Sequence, residues 1–232
     1  MNIHFISPFD KIAQITLSES ILGRAKKNGF VKYHFYNLYE YADPPHQKID
    51  DSPFGGGVGM VLKPEPIFRI IDEIKNNNSD VEYFRIIFPT PDGKVLNQNI
   101  SNEFSKEENL IFISGHYKGL DQRVRDELVT DEISIGDYVL TGGDLPSLVI
   151  IDSIVRLIPG VIGKMESAET DSFSNPLLDY PHYTRPEEFR GLKVPDVLLS
   201  GHHKKIDKWR QEKRLEKTEN LRPDLLAKFK NN

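Results

Sequence analysis

The sequence contains no cysteine. That excludes disulfides and thiolate metal sites and suits a reducing compartment, so a cytoplasmic location is expected. No apolar run approaches the roughly 18 residues of a membrane-spanning helix. The opening Met1-Asn2-Ile3-His4-Phe5-Ile6-Ser7 lacks the basic flank of a secretory leader, and its apolar part is only strand length. Two familiar nucleotide loops are also missing. A dinucleotide fingerprint counted from Gly55 meets Met60 where its last glycine should stand. The Gly-Lys pairs of a phosphate loop, at Gly93-Lys94 and Gly163-Lys164, lack both the upstream glycine and the following hydroxyl.

What is present suits an ordinary soluble protein with a packed core: 232 residues, 38% hydrophobic and 28% charged. The length fits one large domain, or a medium domain followed by a small one. Charge is uneven. From Pro181 onward thirteen Lys or Arg face eight acidic residues, a local balance of +5 in a chain whose total is −5. The C-terminal segment is thus the basic part of an acidic protein, the footprint of a polyanion partner or of a solvated helix.

The first half alternates strand-like and helix-like runs, which predicts an α/β fold with a parallel sheet covered on both faces. Strands are expected at Ile3–Ser7, Tyr33–Leu38, Tyr83–Phe88, Leu110–Ser114 and Ile133–Leu140. Helices are expected over Ile12–Ala25, Pro66–Lys75, Asn97–Phe104 and Leu145–Ile158, the last carrying Leu148, Ile151, Ile154 and Val155 at core spacing. Lys164 to Asn175 is small, polar and almost free of apolar anchors, which reads as a linker or lid. Beyond it lies a basic helical run from His202 to Lys217, in which Trp209 shares a face with Ile206 and reads as a packing anchor. Pro223 suits the first turn of a last short helix.

Asp50–Met60, "DDSPFGGGVGM", puts four glycines into five positions. So much bare backbone implies positive φ or another group pressed against the chain, and otherwise only a tight turn. Three more glycine-bearing segments follow strands: "FPTPDG" from Phe88, "ISGHYKGLD" from Ile113, and "SIGDYVLTGGDLP" from Ser134. Loops that leave the C-terminal ends of parallel strands converge on one crevice, where exposed backbone can read a planar ligand.

The segments "SPFGGGVGM", "GHYKGLDQRV", "SIGDYVLTGGDLP", "IDSIVRLIPGV", "DSFSNPLLDYPHYTRP" and "LLSGHHKKIDKWR" together resemble the bacterial tRNA (guanine-N1)-methyltransferases, members of the knotted SPOUT class. The resemblance spans nearly the whole chain, in order and with similar spacing. It implies a deep trefoil-knotted S-adenosylmethionine-binding domain over residues 1–162, a flexible linker or lid over 163–178 and a small helical tRNA-binding domain over 179–232. It also implies a homodimer whose active site is shared between subunits, with tRNA bound by its anticodon arm and with a magnesium ion as a further candidate. The reaction implied is methyl transfer to N1 of the guanine immediately 3′ of the anticodon.

By the same resemblance, the cofactor would be held by Pro89 and Thr90 in the first loop and by Gly115, Tyr117 and Gly119 in the second. The third loop would add Ile135, Gly136, Asp137, Tyr138, Val139 and Leu140, then Gly142, Gly143 and Pro146. Asp171 matches the family's general base and Arg156 the cation beside guanine O6. Gly57, Gly59, Asp179, His182 and Arg185 match positions near the target nucleotide. Taken alone, Asp171-Ser172 would be a helix N-cap, Arg156 an ion-pair partner at the core edge, and "PHYTRP" a linker packed by its prolines. His202-His203, without a third spaced ligand, reads as a surface pair, and no protein metal site is expected. The chain departs from the family where many members read "GRYEG": it has His116-Tyr117-Lys118-Gly119, so a basic side chain replaces an acidic one. The C-terminal domain is also expected to be short for the family. Competing readings are a knotted methyltransferase acting on ribosomal RNA or a ribose 2′-OH, and an inactive RNA-binding protein.

Overall fold

The computed structural model describes residues 1–163, 172–173 and 176–230. The chain divides into two compact units, Met1–Gly163 and Lys164–Asn232. In the first unit β1 (Asn2–Ser7), β2 (Lys32–Asn37), β5 (Arg85–Val95), β6 (Asn109–Ile113) and β7 (Asp131–Ser134) form a parallel sheet in the order β2-β1-β6-β5-β7. Alternation along the strands feeds two cores. Ile3, Phe5, Leu110 and Phe112 face one side, while Ile6, Ile111 and Ile113 face the other. Both faces are covered, as a parallel sheet of apolar strands requires.

On the first face lie α1 (Lys11–Thr16), α2 (Ser20–Lys27), α4 (Gln98–Phe104) and α6 (Asp144–Val155). Asn97 caps α4 by accepting from the N–H groups of Asn99 and Ile100 at 3.0 and 3.1 Å. On the second face α3 (Pro64–Asn77) starts with proline at its first position and buries Ile67, Ile70, Ile71 and Ile74 completely. Each such side chain contributes on the order of 1.5–3 kcal/mol of apolar burial. Two short strands, β3 (Asp50–Asp51) and β4 (Val61–Leu62), pair antiparallel around the glycine loop, and α5 (Gln122–Glu127) precedes β7.

The structure departs from the expected elements in three places. The helix expected over Ile12–Ala25 is broken between Leu17 and Glu19. Thr16 and Ser18 hydroxyls donate to the carbonyls of Ile12 and Ile15, at 2.8 and 2.7 Å, and Ser20 takes a positive φ of 52°. Second, β7 ends at Ser134 rather than Leu140, because Gly136 turns the chain at φ 143°. Third, β5 runs to Val95 rather than Phe88, but with an excursion: Pro89 and Lys94 both pair with Ile133, so residues 90–93 loop out of the ladder.

In the second unit, described by itself, β8 (Glu188–Phe189) and β9 (Leu192–Lys193) form a small hairpin. Helices follow at α7 (Asp196–Leu199), α8 (His203–Leu221) and α9 (Pro223–Lys230). The basic run is therefore helical and extends four residues past Lys217, and Pro223 opens the last helix as its position suggested. Ile206, Thr218, Leu225 and Leu226 are buried, and Trp209 is half-buried near Tyr183. Among the described residues, no helix is long and apolar enough to cross a membrane.

Candidate active site

The three strand-end loops meet in one crevice of about 380 Å³, within the ~300–1,000 Å³ range of small-molecule sites. One wall is the excursion in β5. Thr90 is buried, and Gly93 lies so close to the β7 backbone at Glu132 and Ile133 that any side chain there would collide. An ion-pair relay anchors this wall. Arg125 donates to Glu132 at 2.7 and 2.8 Å and to Asp92 at 2.9 Å, with its guanidinium over the Phe88 ring. The hydrogen bond from Arg125 holds the Asp92 carboxyl below the usual carboxylate range.

The second wall is the turn after β6. Gly115 packs on Phe88, whose ring lies 2.8 Å from where a Cβ would sit. Tyr117 takes a φ of 60°, a conformation uncommon for so bulky a residue and a mark of functional sites. This turn is stitched to the end of the glycine loop: the Lys118 N–H donates to the Met60 carbonyl at 2.9 Å, and the Leu62 N–H to the Gly119 carbonyl at 3.0 Å. Gly55, Gly56, Gly57 and Gly59 all have positive φ. The glycine loop therefore needs its glycines for conformation, and its far end borders the crevice.

The third wall runs from Ile135 to Gly143 and into α6. The backbone N–H of Gly143 donates to the Gly115 carbonyl at 2.6 Å, and a Cβ on Gly143 would lie 2.6 Å from the Gly115 nitrogen. Gly142 in turn lies flat against the His116 ring. His116 Nε2 is 2.7 Å from Asp144 Oδ2, and the buried Asp144 also accepts from the Ser7 hydroxyl at 2.5 Å. Between these fixed points, the backbone from Val139 to Gly142 makes no hydrogen bond within the described residues. Val139, Leu140 and Thr141 are exposed, so these main-chain groups are open to water and accessible to a ligand with its own donors and acceptors.

The sequence model of the tRNA (guanine-1)-methyltransferase family, TrmD, matches residues 1–228 of this chain. The chain belongs to that family. Curated relatives named tRNA (guanine-N(1)-)-methyltransferase agree. The protein of Brevibacillus brevis is 51% identical over 229 residues, 99% of this chain and 93% of its own. Those of Clostridioides difficile and Chlorobaculum tepidum are each 50% identical over 228 residues, covering 98% of both partners.

Of the positions that the family resemblance suggested, the crevice brings together Pro89, Thr90, Gly115, Tyr117, Gly119, Ile135, Gly136, Tyr138, Val139 and Leu140. Gly142, Gly143 and Pro146 complete the set. Asp137 sits in the same loop but is exposed and does not line the crevice. Gly57 and Gly59 stand outside it, Gly59 against the Lys118 stem. Arg156 caps the C-terminal end of α6, whereas the crevice lies at the N-terminal end. Ten residues of helix separate Arg156 from the crevice residue Pro146, about 15 Å at ~1.5 Å per residue. The helix borders the crevice, but Arg156 of the same chain does not. Asp171 lies outside the described residues. In the second unit His182 Nε2 is 2.7 Å from Asp179 Oδ2, its ring lies against Tyr180, and Arg185 is exposed.

Sequence reasoning passed over Asp92, Arg125 and Thr141 and met His116 and Lys118 only as a departure from the family, yet all five line the crevice. The signal was present for Asp92, a charge inside the Pro- and Gly-rich loop "FPTPDG". Arg125 comes from α5 and only the tertiary fold delivers it. Among the described residues, no three His, Asp or Glu side chains gather to hold a metal ion.

Proposed function

We propose that this chain methylates N1 of the guanine immediately 3′ of the anticodon of tRNA, using S-adenosylmethionine held in the strand-end crevice. Family membership carries the reaction, and the unpaired Val139–Gly142 backbone beside three glycine-bearing walls carries the cofactor assignment. When bound, S-adenosylmethionine supplies a methyl group already activated on a sulfonium sulfur. The chain's work is alignment and exclusion of water. Main-chain groups of Val139 to Gly142 would read the adenine edge, and the wall formed by Pro89, Thr90 and Gly115 would fix the rest. The mutual contact of Gly115 and Gly143 supports a knotted path, in which the segment entering α6 passes tightly against the turn after β6.

Guanine N1 carries a proton and is a poor nucleophile until that proton leaves, so the site needs a base. As the proton leaves, charge builds on O6, where a fixed cation lowers the barrier. Asp171 and Arg156 take these roles in the proposal. Arg156 follows the crevice residue Pro146 by ten positions, about 15 Å along the axis of α6, which supports a homodimer in which the site of one copy is completed by the other. Exposed apolar side chains support such an interface: Phe9, Ile12 and Ile15 at α1, and Leu145 and Val149 along α6. The basic face of α8 would meet phosphates of the anticodon arm, and a tRNA substrate supports a cytoplasmic site of action. No step is assigned to magnesium, for which the described residues offer no cluster.

The test is transfer of labelled methyl from S-adenosylmethionine to two tRNA transcripts that differ only in carrying guanine or adenine 3′ of the anticodon. Label enters the guanine transcript alone if the reading holds, and label in both or neither removes it. Asp171→Asn should keep cofactor affinity and lower kcat by about 10²–10⁴-fold, the usual contribution of a general base.

A further inference from the structure

Asp92, Lys118 and Arg125 bring charge to the crevice, beside His116. Asp92 is paired with Arg125, Arg125 also with Glu132, and His116 is hydrogen-bonded to Asp144. Lys118 forms no ion pair among the described residues. Yet it is not a loose surface lysine. Its backbone N–H is bonded to the Met60 carbonyl at 2.9 Å, and its stem crosses Gly59, with Cγ and Cε 3.0 and 3.1 Å from where a Cβ on that glycine would sit. Gly59, at φ 104°, thus leaves a groove for the stem, and the ammonium one bond beyond Cε stands where the glycine loop meets the crevice.

An ammonium held this way loses less side-chain entropy when it meets an anion, and it acts as a compact point charge. Two anions enter the crevice in the proposed reaction. The methyl donor's carboxylate is accompanied by the donor's own ammonium and sulfonium, which repel Lys118. A backbone phosphate of RNA carries a full negative charge with no compensation. We infer that Lys118 binds a phosphate of the RNA strand beside the target nucleotide and so positions the guanine between the glycine loop and the crevice. This inference rests on the proposed methyl transfer to tRNA.

The experiment compares the wild-type protein with Lys118→Met and Lys118→Arg, on the guanine transcript at two salt concentrations. S-Adenosylmethionine binding is measured separately without RNA. Absence of methyl transfer by the wild type removes the function itself, whatever Lys118 does. With an active wild type, Lys118→Met should raise the KM for tRNA roughly five- to tenfold and leave cofactor affinity within about twofold. The slope of log kcat/KM against log salt should fall by about 0.7–0.9, the value of one phosphate contact. Lys118→Arg should restore most of the loss. A weakened cofactor affinity with unchanged KM for tRNA would overturn the inference in favour of the donor's carboxylate. No change in either quantity would overturn it in favour of an idle rim charge.

Discussion

Strands β5 and β7 are finished in opposite ways at their two ends. At the N-terminal end Arg85 opens β5 and Asp131 opens β7, and the two are joined by hydrogen bonds of 2.8 and 3.0 Å. Arg85 also meets Glu103 at 2.6 Å and Glu107 at 2.9 Å, and lies over the Phe104 ring. At the C-terminal end of the same strands the chain leaves β5 for its four-residue excursion and leaves β7 for a loop whose backbone from Val139 to Gly142 is unpaired. One end closes on itself. The other leaves main-chain groups open to water or to a ligand, so changes at the first should cost stability and changes at the second should cost binding.

The largest effect is expected where the open end is itself tightly built. Gly143→Ala would place a Cβ 2.6 Å from the Gly115 nitrogen and 3.0 Å from the Ser114 Cα, and neither is a side chain that can turn away. The backbone at Gly143 has an ordinary φ of −83°, so the effect is one of space alone. Separating the two loops should cost about 3 kcal/mol of stability, at the upper end of overpacking, and abolish cofactor binding. Denaturant unfolding and direct cofactor titration check the two halves of that outcome. Retention of both would break the comparison, because it would make the contact between the loops dispensable.

Next comes the closed end. Arg85→Met removes the cation shared by Asp131, Glu103 and Glu107, of which Asp131 is well covered. Leaving that carboxylate group without its partner should cost about 2–3 kcal/mol at neutral pH, less than a fully buried pair because Glu103 is open to water. Cofactor affinity should be unchanged. A parallel loss of cofactor affinity would show that the two ends are coupled through the strands.

A smaller effect distinguishes the core from the site by pH. His4 in β1 is buried, stacked on His34 with ring centroids 4.6 Å apart, and its Nε2 has no partner. Burial first, and then the neighbouring His34, lower its pKa to about 4. The neutral ring is the folded form. Stability from this group is therefore complete above the unfolded value near 6.5 and is lost as pH falls toward 4. By pH 5.5 the loss should be about 1 kcal/mol, at ~1.4 kcal/mol per pH unit. Unfolding at pH 7.5 and 5.5 measures it, and His4→Phe should flatten the dependence.

Much of this architecture was legible in the sequence because apolar periodicity reports burial. The four isoleucines of α3 and the core face of α6 are all where their spacing places them. What was not legible depended on contacts remote in sequence. The β5 excursion needs Gly93 against β7, and the early end of β7 hides inside an apolar run whose later members, Val139 and Leu140, are exposed to line the crevice. The family resemblance pointed to most of the crevice, but only the helix length shows that Arg156 stands at the far end of α6 from it.

The smallest effect on stability is expected at the tip of the glycine loop, and it makes the comparison sharpest. Phe54 is fully exposed and Val58 is 92% exposed, although both are large apolar residues in a loop whose conformation costs four glycines. Since Phe54 gives up almost no contact in the folded chain, Phe54→Ala should change stability by less than about 0.5 kcal/mol. A ring held out in water is available to a planar partner, and stacking of a base on an aromatic side chain is worth about 1–3 kcal/mol. The variant should therefore raise the KM for tRNA at least fivefold while its cofactor affinity and unfolding curve overlay those of the wild type. A shift in the unfolding curve instead would mean that the ring packs in solution, and the glycine loop would then belong with the closed half of the molecule.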